Sequence, residues 1–181
     1  MLTPIPLCLN AVPVVDSFHV IQWIIRSIDT YIRQLLRKYR QRDNELQEKL
    51  FQEQQRQVSL PVSNEVYLLQ KYRWLILSNQ SGITYHTDPR IDNHYHALMN
   101  TYDYEGALFS IDPNLQEFKE EKGKYVLFNS CKSEDPVRAC IELQELIQEY
   151  ENSRHEIFHT FACLLKKYEA PIINSFIMVE K

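Results

Sequence analysis

At Asp16 the chain changes its hydrophobic period, and that change limits the folds open to it. Residues 12–15, "VPVV", form a short β-branched run that predicts a strand ending at Asp16, with Pro13 placing it at a sheet edge or a strand start. From Ser17 onward, Ile21, Ile24, Ile28, Ile32, Leu35 and Tyr39 recur at helical steps, which predicts a long helix with one buried stripe. At about 100° per residue, Arg26, Arg33, Arg37 and Arg40 fall together on the opposite face, and Lys38 and Arg42 add to the charge. Two readings of that face stand side by side: a solvated helix surface, or a stripe that meets phosphates.

The rest of the chain reads as helix after helix. "DNELQEKLFQEQQRQ", residues 43–57, is polar and is either the exposed end of the long helix or an extended linker. Ser63 is placed to cap a new helix carrying "VYLLQKYRWLIL", residues 66–77. Three Asp-Pro pairs follow: Asp88-Pro89, Asp112-Pro113 and Asp135-Pro136. An N-cap aspartate before a first-turn proline marks a helix start, because the N–H that proline lacks has no intrahelical partner there. The pairs predict helices near 88–101, 112–122 and 135–151. Only three glycines occur, so tight hairpins and glycine-rich phosphate loops are poorly supplied. The expected fold is mainly α: one N-terminal β-strand followed by a helical bundle, in a single domain of 181 residues.

Composition excludes several classes. No apolar run approaches the roughly 18 residues of a membrane helix, and the apolar start has no basic leader, so it does not read as a signal peptide. Cys8, Cys131, Cys140 and Cys163 show no CxxC spacing and are expected to be reduced thiols. The net charge of −4 gives no global case for nucleic-acid binding, which must rest on a local patch such as the arginine face.

"SRHEIFHTF", residues 153–161, contains the zinc-protease pattern His155-Glu156-x-x-His159. The extended form of that motif needs glycine at 162 and histidine at 165, where this chain has Ala162 and Leu165. The stretch reads instead as a capping box, Ser153 with Glu156, opening a core helix with Ile157, Phe158, Phe161, Leu164 and Leu165. His94 and His96 are expected on a helix, where positions two apart do not face each other.

"NAVPVVDSFHVIQWIIRSID", residues 10–29, resembles the second catalytic segment of DDE-type insertion-sequence transposases of the ISL-three class: a strand ending in aspartate, then x-Phe-His-Val and a long arginine-bearing helix. Three further stretches are similar to that class in order and spacing: "LLQKYRWLIL" at 68–77, "SIDPNLQEFKEEKGKYVLF" at 110–128 and "YEAPIINSF" at 168–176. The resemblance covers nearly the whole chain from Asn10.

That resemblance implies part of a ribonuclease-H-like catalytic domain. Residues 10–16 would be the strand bearing the second catalytic aspartate, residues 17–170 mainly a helical insertion, and residues 171–181 the lead-in to the family's glutamate segment. It makes Asp16 the candidate catalytic and metal-binding residue, with Mg²⁺ as the implied ion, and puts His19 in the same motif without a role. The purely structural role for Asp16 is an N-cap for the helix behind it. The family's first aspartate and its glutamate have no counterpart here, so the expectation is a truncated transposase that does not act alone. Two metal ions about 3.5–4 Å apart need several carboxylates, and Asp16 is one. The resemblance also implies DNA as partner, contacted by Arg26, Arg33, Arg37 and Arg40, with a second copy or a full-length transposase as protein partner. It further implies a bacterial, cytoplasmic, nucleoid-associated setting with no membrane. The other reading is a non-catalytic helical module that binds DNA or pairs with a full-length transposase.

Overall fold

The computed structural model describes residues 13–54, 59–131 and 135–177. Its elements run α1 (Ser17–Gln54), α2 (Asn64–Lys71), α3 (Trp74–Leu77), a 3₁₀ turn (Gln80–Gly82), β1 (Arg90–Asp92), β2 (Ala97–Met99), α4 (Thr101–Ile111), α5 (Asn114–Ser130), α6 (Pro136–Glu151), α7 (Glu156–Lys167) and α8 (Glu169–Ile177). The fold is mainly α, as expected. The chain forms two compact units, one of residues 1–24 and 125–181, the other of residues 25–124.

The periodicity of α1 holds at its centre: Ile24, Ile28 and Ile32 are fully buried. Val20 and Leu36 complete the buried line, and the expected Ile21, Leu35 and Tyr39 flank it half-buried. The polar stretch from Asp43 is helix rather than linker, and it remains helical to Gln54. Asp43 accepts a hydrogen bond from the Ser63 backbone N–H, and Arg42 pairs with Glu65 at 2.9 Å. Ser63 caps α2 through the Val66 N–H. The helix expected over 66–77 breaks at Tyr72-Arg73 into α2 and α3.

Two of the three Asp-Pro pairs open helices. Asp135 accepts from the Val137 N–H with Pro136 in the first turn of α6, and Asp112 accepts from the Asn114 N–H at the start of α5. The helix expected over 88–101 is corrected to an antiparallel hairpin, in which Ile91 pairs with Leu98 and Asp92 with Ala97. The cause lies outside the local sequence. Asp92 is buried, and Tyr67 and Tyr104 each donate to its Oδ2 at 2.7 Å. Its Oδ1 accepts from the backbone of His94 and Tyr95 and so forms the turn, with His96 in the left-handed region at φ 50. A buried carboxylate held by phenols overrides a helix-start signal. Residues 13–16 carry no regular secondary structure, and residues 10–12 of the expected N-terminal strand lie outside the described residues.

In the first unit, α6 packs against α7 and α8. Phe161 of α7 is buried and meets three aromatic rings: Trp23 stacked at 5.9 Å, Tyr125 edge-on at 5.3 Å and Tyr150 at 5.5 Å. Such offset and edge-on ring pairs add to the stabilisation that area burial alone provides. In the second unit, α2 packs against α4, and Ile28, Ile32, Leu69, Leu75, Ile76, Leu108, Leu115 and Phe118 form the apolar core.

Candidate functional site

Asp16 is exposed at the end of the segment that leads into α1. Its Oδ1 accepts from the Phe18 N–H at 2.9 Å, the geometry of a helix N-cap. His19, also exposed, meets the Phe18 ring edge-on at 6.0 Å. The segment before Asp16 is tied to the start of α8: the Val15 N–H donates to the Pro171 carbonyl at 3.3 Å, and the Asn174 side-chain amide donates to the Pro13 carbonyl at 3.0 Å. Residues 13–16 and the "APIINS" stretch, some 155 positions apart along the chain, therefore lie side by side.

Asp16 is a hard oxygen donor of the kind Mg²⁺ takes. Among the described residues, however, no group of three or more His, Cys, Asp or Glu side chains is arranged to hold a metal ion. The residues described do not complete a two-ion site. His155 and His159 have other partners: His155 stands at the N-cap position of α7, and the His159 ring Nε2 is hydrogen-bonded to the Ser153 carbonyl. The capping box expected at Ser153 and Glu156 is corrected. Ser153 Oγ accepts from the His155 N–H at 3.3 Å and stands two residues before the N-cap position of α7, because the helix begins at Glu156. A full capping box forms elsewhere, at α4, where Asn100 accepts from Tyr102 and Asp103 and the Asp103 carboxylate accepts from the Asn100 N–H. Cys131, Cys140 and Cys163 are free thiols, and Cys8 lies outside the described residues.

Arg26, Arg33, Arg37 and Arg40 are all exposed on α1. Arg33 pairs with Asp29 at 2.7 Å, and Arg73 reaches the same carboxylate at 3.5 Å. Among the described residues, the guanidinium groups of Arg26, Arg37 and Arg40 have no carboxylate partner. Arg42 lies over the Tyr39 ring at 4.9 Å while it holds Glu65. Three free guanidinium groups within about one-sixth of the helix circumference at 100° per residue form a cationic strip on a rigid element.

The sequence reading missed two polar centres. Burial opposes ionisation of Asp92, but the hydrogen bonds from Tyr67, Tyr104 and the Tyr95 and His94 backbones outweigh it and hold the carboxyl well below the usual carboxylate range. The second is Lys122, which is 1% exposed and donates to the carbonyls of Ile76, Leu77 and Ser78 at 2.6–2.8 Å. One ammonium thus satisfies three carbonyl groups at the end of α3. Burial, with Lys119 nearby, pushes it down to about 8.

A protein family described as transposase, of the ISL-three class, matches residues 6–179. No curated protein and no solved structure matches the chain. A match across nearly the whole sequence, running from before Asp16 to beyond α8, leaves one assignment: the chain belongs to the transposase family of the ISL-three class.

Proposed function

We infer that this chain serves DNA transposition by the DDE route, with Asp16 as one of the catalytic carboxylates and the α1 arginines as its hold on DNA. The observation that carries the reading is the pairing of residues 13–15 with residues 171–174. By the family's motif order, one of these segments ends in a catalytic aspartate and the other leads into the glutamate segment. Their adjacency supports a site built where Asp16 emerges. Asp16 would be one of the carboxylates that hold divalent ions, which would activate the attacking oxygen and stabilise the leaving one. The described residues contribute one carboxylate toward that site, so by themselves they are expected not to cleave DNA. Arg26, Arg37 and Arg40 position a duplex by neutralising phosphates, without reading sequence.

The test uses the purified chain with an end-labelled duplex in Mg²⁺ and in Mn²⁺, beside Asp16→Ala. The expected outcome is duplex binding without cleavage, and the same affinity in the variant. Metal-dependent cleavage that the variant abolishes would show that the chain completes its own site. Absence of duplex binding at low salt would remove the DNA-contact reading.

A further inference from the structure

Two helices pass from one compact unit into the other: α1 crosses between Ile24 and Ile25, and α5 crosses back between Lys124 and Tyr125. On α5 two fixed side chains bracket the crossing. Lys122, 1% exposed, donates to the carbonyls of Ile76, Leu77 and Ser78 and ties the helix into the second unit. Tyr125 is fully buried, meets Phe161 edge-on at 5.3 Å and ties the helix into the first. Between these anchors stand the exposed Gly123 and the half-buried Lys124.

No steric demand explains a glycine at 123. A Cβ added there would meet nothing within 4 Å, and φ is not positive. Neither a close approach nor a left-handed backbone calls for it, and in a helix interior glycine is the least favourable residue after proline. What it does supply is bending, since a backbone without Cβ moves between conformations at low cost, and hinges often use small residues. α1 has a soft turn at its own crossing. Arg26 is exposed there, and the Thr30 hydroxyl donates to the Arg26 carbonyl at 2.8 Å, a bond back onto the helix that favours bending. Anchors flank this turn as well: Trp23 stacks on Phe161 before it, and Ile28 is fully buried after it. We propose that Gly123 makes α5 a hinge, with the Arg26–Thr30 turn of α1 bending in step, so that the unit bearing Asp16 changes its orientation to the unit bearing the α1 arginines. The use of that motion rests on the reading that the chain acts on DNA: a duplex held by Arg37 and Arg40 is moved with respect to Asp16.

The experiment places spin labels on the full chain at Cys163 and at Gln34→Cys, both exposed and one in each unit, with the other cysteines replaced by serine. Pulsed electron resonance reads the distribution of distances between the labels, with and without a duplex. The free chain is expected to give a broad distribution that Gly123→Ala narrows. Gly106 of α4 is the control, because a Cβ there also meets nothing. Gly106→Ala and Gly123→Ala should each lower the unfolding constant roughly two- to fivefold, whereas Gly123→Ala alone should narrow the distribution. A bound duplex should narrow the wild-type distribution too. A wild-type distribution already as narrow as that of Gly123→Ala, or a narrowing shared by Gly106→Ala, overturns the hinge and leaves the DNA reading standing. Failure of the duplex to bind while Gly123→Ala still narrows the distribution overturns the DNA reading and leaves the hinge. A duplex that binds and leaves the distribution unchanged overturns the coupling of the hinge to DNA.

Discussion

Asp92 is a carboxylate taken out of water and returned its hydrogen bonds by the protein. Its Oδ2 accepts from Tyr67 and Tyr104, and its Oδ1 from two backbone N–H groups. Hydrogen bonds to a charged group contribute about 1.5–3 kcal/mol each, so Asp92→Asn, which keeps the shape and removes the charge, is expected to cost about 2–3 kcal/mol in urea unfolding at pH 7. The sign with pH follows from the lowered carboxyl. A group whose folded value is depressed contributes stability above its unfolded value, near 4 for aspartate, and loses it as pH falls toward the folded value. The gap between wild type and Asp92→Asn should therefore be constant from pH 7 to about 5 and narrow below about 4. A gap that widens in acid would mean that the carboxyl is not held as the tyrosines and backbone amides suggest. None of this was legible in "RIDNHYHAL", because Tyr67, Tyr72 and Tyr104 come from elsewhere in the chain.

At the scale of elements, caps separate local signals that act from those that do not. Asn100 accepts from two backbone N–H groups of α4, whereas Ser153 caps no helix. Asn100→Ala is expected to lower stability by about 1 kcal/mol, and Ser153→Ala by less than about 0.5 kcal/mol, as for a surface change. Equal costs in thermal unfolding would restore the Ser153 capping box. Phe161 carries the opposite expectation. It is fully buried against Trp23, Tyr125 and Tyr150, so Phe161→Ala should cost about 3–5 kcal/mol. What the sequence made legible at this scale is what helix period and capping chemistry dictate locally: the centre of α1, the Ser63 cap, and the starts of α5 and α6. The hairpin at 90–99 was hidden because its cause is tertiary. Asp88 beside Pro89 has the letters of a helix start, yet the burial of Asp92 decides the backbone four residues later. The site was legible in part for the same reason. Asp16 stood out by motif, but its adjacency to residues 171–174 depends on how the chain closes on itself.

For the whole molecule, a net charge of −4 means that any grip on DNA must come from local concentration of cations and not from the overall field. The strip on α1 is the place to measure it. Arg26, Arg37 and Arg40 are exposed and without a carboxylate partner among the described residues, while Arg33 is neutralised by Asp29 at 2.7 Å. Each phosphate contact contributes a log–log salt slope of roughly −0.9 for duplex DNA. Arg37→Ala with Arg40→Ala should therefore flatten the slope by nearly two contacts. Arg33→Ala should flatten it by less than one, because Asp29 already engages that guanidinium and leaves it a poorer phosphate contact. Melting temperatures should barely move for the pair, since exposed charges contribute little to stability. A salt titration of anisotropy on the four proteins (wild type, the Arg37/Arg40 pair, Arg33→Ala and Arg26→Ala) distinguishes the outcomes. Slopes that stay equal across all four would place the phosphate contacts away from α1, leaving its arginines as a solvated face.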